Sequence, residues 1–223
     1  MLAATTFVAT SAHADAEKQL RRAIALDPDH LPAYSMLGRL YLATNRLDEG
    51  RREFEALALK QPRNEAAPTL IGMILHAQNH LADAQKWYER ALQIRADAAV
   101  AANNLAWLYA EQGGNLDIAL QLAQTAKQKI PDHPEVNDTL GWIYVKKGLP
   151  SLALRPLQAS VAAEPSNATY QYHLGAAYAK LGDTANARRV LGRVLKAGTA
   201  FPNAPDAQKL LAQLGGPDGT RSR

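Results

Sequence analysis

Residues 103–114 read NNLAWLYAEQGG, residues 116–135 read LDIALQLAQTAKQKIPDHPE, and residues 137–148 read NDTLGWIYVKKG. The first and third segments are nearly the same sentence. Leu105, Ala106, Trp107 and Tyr109 recur as Leu140, Gly141, Trp142 and Tyr144, each set followed by a polar turn ending in glycine. Such internal similarity decides the architecture before any single motif is weighed.

Working outward, the period can be counted. Gly38, Gly72, Ala106, Gly141 and Gly175 are separated by 34, 34, 35 and 34 residues. Gly50, Ala84, Ala119, Ala153 and Ala187 keep nearly the same step, as do Pro28, Pro62, Pro131 and Pro165, with Ala96 in the vacant proline position. The longer step comes from one extra residue in the Gly113-Gly114-Asn115 turn. Each unit has two apolar stripes at helical spacing split by a short turn. Leu37 and Tyr41 would face Phe54 and Leu57 across an antiparallel pair, with Gly38 and Gly50 permitting close approach. The proline ends the second helix, because it lacks an N–H and drives the preceding residue away from helix. One pair cannot bury both faces, so neighbours must stack.

These series resemble the tetratricopeptide repeat (TPR), whose pattern runs bulky residue, Leu-Gly, Tyr, Ala, aromatic, Ala and Pro over about 34 residues. Leu37-Gly38, Tyr41, Gly50, Phe54 and Pro62 match it; so do Ile71-Gly72, Leu75, Ala84, Tyr88 and Ala91, and Leu174-Gly175, Tyr178, Ala187 and Leu191. The resemblance implies an all-α, right-handed solenoid of stacked helix pairs. The register predicts a partial unit over 1–30 with its first helix cut short, and five units over 31–198. A capping helix is expected within 199–214, with Leu210, Leu211 and Leu214 on one face, followed by a disordered, Gly-rich tail at 215–223. Pro156 falls inside a second helix and should bend it; Pro150 falls in a first turn, where its missing N–H is harmless.

Composition narrows the function classes. Cysteine is absent, which excludes disulfides, thiolate metal sites and cysteine nucleophiles. No apolar run is long enough to cross a membrane. The net charge of +4 is modest. The basic pairs Arg21-Arg22, Arg51-Arg52 and Arg188-Arg189 all fall in second helices and read as a solvated face rather than a nucleic-acid stripe. Ala12-His13-Ala14 is a small-x-small triplet, but the basic segment and strong apolar core of a secretory leader are missing before it. The N-terminus therefore reads as a truncated repeat, which suggests the C-terminal part of a longer chain. The compartment, periplasm and envelope or cytoplasm, stays open.

The resemblance implies that first helices line a groove where a protein or peptide partner binds. Its groove slots correspond to Arg39, Met73, Trp107 and Trp142, to Asn103, Asn104, Asp138, Tyr172 and His173, and to Glu111, Lys146 and Lys180. The N-terminal part of this set is apolar (Met36, Leu42, Leu70, Met73), whereas the C-terminal part is rich in groups that grip peptides. Trp107 and Trp142 should sit side by side. They either contact a partner or pack between helices and stiffen the array. Asn104 could engage a ligand backbone from both ends of its amide. The carboxylate clamp of chaperone-binding TPR domains is incomplete: Asn104 supplies its middle element, but Thr69, Met73, Glu135 and Thr139 stand where its Lys, Asn and Arg should be.

No phosphate-cradling loop or nucleophile elbow appears, so neither catalysis nor a cofactor is expected. His76 and His80 have metal-compatible spacing, but His80 falls in a turn and no Glu follows His76, so two solvated histidines are expected. The wording of the C-terminal half resembles bacterial TPR proteins of envelope and exopolysaccharide systems, including exosortase-associated lipoproteins. The expected function is a non-catalytic interaction scaffold. Self-association through the N-terminal end, or a regulatory segment of a larger enzyme, are the alternatives.

Overall fold

The computed structural model describes residues 2–28, 30–198 and 200–215, with side chains described except at 2–11, 31 and 35. These residues are helical and contain no strand. Twelve helices follow one another: α1 Leu2–Leu26, α2 Leu31–Ala43, α3 Leu47–Lys60, α4 Ala66–Ala77, α5 Leu81–Ile94, α6 Ala99–Glu111, α7 Leu116–Lys129, α8 Pro134–Lys146, α9 Pro150–Ala163, α10 Ala168–Lys180, α11 Thr184–Lys196 and α12 Ala204–Gln213. The described residues up to Asn104 and those from Leu105 on form two compact units, so the boundary falls within α6. In each, consecutive helices pack in pairs.

The turn chemistry explains where helices pair and where they do not. The turns after α2, α4, α6, α8 and α10 carry Asn45, Asn79, Gly113, Gly148 and Gly182, all with φ between 54° and 77°. Only Gly, and to a lesser degree Asn, enters this left-handed region cheaply. One period before Asn45 stands Ser11, which lacks that tolerance. Accordingly α1 runs unbroken over 25 residues, where the register predicts two helices and a turn.

Small residues set the closeness of each pair. In the first unit, a Cβ on Gly50 would lie 2.8 Å from the Tyr41 ring, and one on Gly72 would lie 2.6 Å from the Tyr88 ring. Tyr41 and Phe54 meet edge to face at 6.0 Å, the geometry aromatic quadrupoles prefer. In the second unit, Gly141 lies under Leu157 and Gly175 under Leu191. Phe201, Leu210, Leu211 and Leu214, from α12 and its flanks, pack against a core containing Leu174, Ala177 and Leu191. Pro156 is accommodated inside a continuous α9. The carbonyl it leaves unpaired belongs to Leu152, an exposed residue that water can serve. The expected tail falls, from residue 216 on, outside the described residues.

Arg21 is not simply solvated. It donates to Glu17 at 2.7 Å, to Glu53 at 2.7 Å and to the Tyr41 hydroxyl at 2.8 Å. Arg46 also donates to Glu17, at 2.6 Å. The cluster ties α1 to α2 and α3. The Arg46 hydrogen bond holds the Glu17 carboxyl below its ordinary range, against the opposing effect of burial. As pH falls, the unfolded chain is protonated first, near pH ~4.3. The stabilisation is therefore complete above that value and is lost as pH drops through the lower, folded one. Glu17→Gln should melt below wild type at neutral pH, and the two melting curves should converge as the pH is lowered past ~4. A gap that stays constant with pH would show that the carboxylate charge contributes nothing.

Candidate partner-binding face

The groove-slot residues divide sharply by exposure. Arg39, Glu111 and Lys180 are exposed, and Met73, Asn104, Trp107 and Lys146 are half-buried. Asn103, Asp138, Trp142, Tyr172 and His173 are buried. Of the apolar slots, Met36 is exposed, Leu42 is half-buried, and Leu70 is buried beneath Gly38. One Asn104 amide N–H donates to the Val100 carbonyl of its own helix at 3.0 Å, which leaves its second N–H and its oxygen for a ligand. The buried Asn103 amide oxygen has no hydrogen-bond partner among the described residues. Thr69 donates to the Glu65 carbonyl at 2.7 Å, a back-bond within α4.

In the second unit, the slots on α8 and α10 are joined by a buried acid–base pair. His173 Nδ1 lies 2.9 Å from both carboxylate oxygens of Asp138. Both side chains are almost fully removed from solvent, at 0 % and 4 % exposure. His173 Nε2 has no partner among the described residues. The Trp142 ring stacks on the imidazole at 4.1 Å and 18°. Trp107 lies 5.7 Å from the same imidazole, and Tyr172 lies 5.6 Å from it. The two tryptophans therefore meet through His173. Tyr172 also contacts Trp142 at 5.7 Å and Phe201 at 6.4 Å. Burial, with the Asp206 and Glu111 carboxylates, pushes the Tyr172 hydroxyl above its ordinary pKa.

The outer edge of this cluster is polar. Trp142 Nε1 donates to Glu111 at 2.7 Å, and Lys146 Nζ pairs with the same carboxylate oxygen at 2.9 Å. Lys146 also lies 5.4 Å from the Trp142 ring. These contacts hold the indole edge and the Lys146 stem in place, leaving Trp107, Glu111, Lys146 and Lys180 as the accessible groups. Periodicity contained the signal for these pairs. Asp138 and His173 are 35 residues apart, as are Glu111 and Lys146, so each pair joins neighbouring first helices.

Other candidates separate. His76 is half-buried on α4, and burial depresses its pKa, whereas His80 is exposed at the start of α5. Among the described residues no group of three or more His, Cys, Asp or Glu could hold a metal ion, and no helix is long and apolar enough to cross a membrane.

Models of the tetratricopeptide repeat match residues 7–74, 69–97 and 139–205. Among curated proteins, the chain is 30 % identical over 152 residues to anaphase-promoting complex subunit 3 of Schizosaccharomyces pombe, covering 65 % of this chain and 22 % of that protein. It thus spans about a fifth of that relative's length. Among solved structures it is similar to PilW, a type IV pilus biogenesis factor (TM-score 0.63, 20 % identity, 82 % of this chain and 91 % of that one). It is also similar to a chain of the anaphase-promoting complex hetero-tetramer Cut9–Hcn1 (0.68, 18 %, 91 % and 39 %). YrrB, a TPR protein with an unusual peptide-binding site, is a third (0.59, 18 %, 85 % and 97 %). At these identities the structural likeness carries the fold alone. The repeat period, the consecutive helix pairs and the family matches agree: this chain is built from tetratricopeptide repeats.

Proposed function

We propose that the chain is a non-catalytic interaction module that holds a segment of a protein partner on the face presented by α8 and α10, beside Trp107. The observation that carries this reading is the arrangement of Trp107, Glu111 and Lys146 around a buried Trp142–His173–Asp138 centre, with Lys180 exposed on α10. A preformed surface costs little reorganisation on binding. A half-buried tryptophan among charged neighbours is the kind of residue that dominates interface energies. The peptide-binding site named for YrrB, on the same fold, supports a peptide ligand. PilW, a type IV pilus biogenesis factor, shares the fold, and the proposal extends to a setting in the bacterial envelope.

The test is a pull-down from the source organism's lysate with wild type and with Trp107→Ala/Lys180→Glu. Lys180 is exposed, but Trp107 packs against the buried core, so the pull-down is read well below the variant's melting temperature and Lys180→Glu alone is run beside it. A partner retained by wild type and lost by the variant is the expected result, with a loss of about 2 kcal/mol or more in binding. Equal retention would remove the partner from this face.

Self-association is a second reading, favoured by α1, whose residues 12–16 are all exposed along an unbroken helix. A molar mass that rises with concentration in the absence of any partner would select it.

A further inference from the structure

The second helices differ in how their cations are matched. In α3, Arg51 lies within salt-bridge distance of Asp48 and Glu55, at 3.5 and 3.9 Å. In α5, Lys86 pairs with Asp83 at 2.9 Å. Helix α11 is different. It carries Arg188, Arg189, Arg193 and Lys196 and contains no acidic residue. None of the four has a carboxylate bonded to it among the described residues. Arg189 donates to the Asn186 amide oxygen at 3.0 Å; the Asp183 carboxyl is held below its ordinary pKa mainly by hydrogen bonds from Asn186, with a smaller effect of the Arg189 charge.

The placement of these cations is directional. Ala187, Leu191 and Val194 are the buried side of α11. At 100° per residue, Arg188, Gly192, Ala185, Lys196, Arg189 and Arg193 fall in that angular order on the opposite side. Two small residues, Ala185 and Gly192, thus interrupt the basic face, with Lys196 and Arg189 beside them. Gly192 has nothing within 4 Å of where a Cβ would be. It differs in this from Gly50, Gly72, Gly141 and Gly175, each pressed against a neighbouring side chain. A mid-helix glycine costs roughly 0.5–1 kcal/mol relative to alanine, and no contact within the fold accounts for it. Arg155, exposed on α9, holds the position one repeat before Arg189 and extends the same character.

We propose that this outer face of α11 is a second docking surface, which receives an acidic helical segment of a protein partner. The flat strip at Ala185 and Gly192 admits a second helix at close range, as the small residues within each repeat do. The flanking guanidinium groups take its carboxylates, three of the four cations being arginine, the side chain suited to two-pronged carboxylate bonding. No large hydrophobic residue is exposed on α11, so the face offers nothing to insert into a bilayer, and it carries no aromatic ring on which a base could stack.

The probe is a fluorescein-labelled, alanine-based helical peptide with glutamates along one face. It is compared with a same-composition peptide whose glutamates are spread around the helix, with phosphatidylserine vesicles, and with a single-stranded oligonucleotide. The one-faced peptide should bind best, and its affinity should fall with salt. Arg188→Glu/Arg193→Glu should reduce that affinity by roughly tenfold or more. Gly192→Leu should fold normally, since the space is open, keep every charge, and still lose peptide binding. The inference is overturned if the two peptides bind alike, if Gly192→Leu binds undiminished, if neither peptide binds, or if only vesicles or the oligonucleotide bind.

Discussion

His173→Ala is expected to lower the stability of the second unit by about 3–5 kcal/mol, the combined cost of the cavity and of a buried carboxyl group left without its hydrogen-bond partner. Asp138 is 3 % exposed and, among the described residues, bonds only to His173. The substitution also removes the ring on which Trp142 stacks. Asp138→Ala should cost a similar amount, whereas Asp138→Ala/His173→Ala should cost clearly less than the two single changes added together. Removing both partners leaves neither group stranded. Denaturant melts followed by tryptophan fluorescence report the transition, because both Trp107 and Trp142 lie against the imidazole. A single-variant cost below about 1 kcal/mol would place the pair in contact with water and remove the preorganisation that the proposed binding face relies on.

The second large effect is expected in the first unit. Gly72→Ala should destabilise by about 1–3 kcal/mol although alanine is the better helix former. Its Cβ would lie 2.6 and 2.7 Å from two atoms of the Tyr88 ring. That ring is fully buried, so it has no free direction in which to tilt. Burial also raises the pKa of its hydroxyl, which has no hydrogen-bond partner among the described residues. Gly38→Ala meets the Leu70 Cδ2 tip, a flexible end, and should be milder. Gly192→Ala meets nothing and should instead gain roughly 0.5–1 kcal/mol. Thermal melts of the three variants check the order. A stabilising Gly72→Ala would mean that α4 and α5 are not held at the separation described here.

Much of the fold was legible because the repeat signal is carried by packing. Gly50 under Tyr41 and Gly72 under Tyr88 need small residues at fixed steps, and the sequence supplies them at steps of about 34 residues. The turn residues are equally local, since Asn or Gly must stand where φ is positive. Reading that requirement at Ser11 would have anticipated the unbroken α1; the apolar register alone did not.

The candidate face was legible in residue type but not in exposure. Trp142, Tyr172, Asp138 and His173 stand in groove slots, yet α8 and α10 are covered by neighbours on most sides. The slots nearest the inter-helix contacts therefore became core, and only those towards the helix ends stayed accessible. Burial depends on what lies opposite a residue, and no slot number states that.

By itself, then, the sequence determined the helical architecture, the pairing of helices and the close approach at Gly50, because helix period and turn stereochemistry act over a few residues and recur. Gly38, expected within its own pair, instead meets Leu70 of the next repeat. Tertiary structure alone decided that an Asp and a His 35 residues apart close into a buried pair and that Trp107 and Trp142 meet through an imidazole. It also decided that the cations of α11, unlike Arg51 of α3 and Lys86 of α5, have no carboxylate bonded to them among the described residues. Those outcomes depend on distances between helices, which set whether a charge finds a partner or remains exposed to meet one from another molecule.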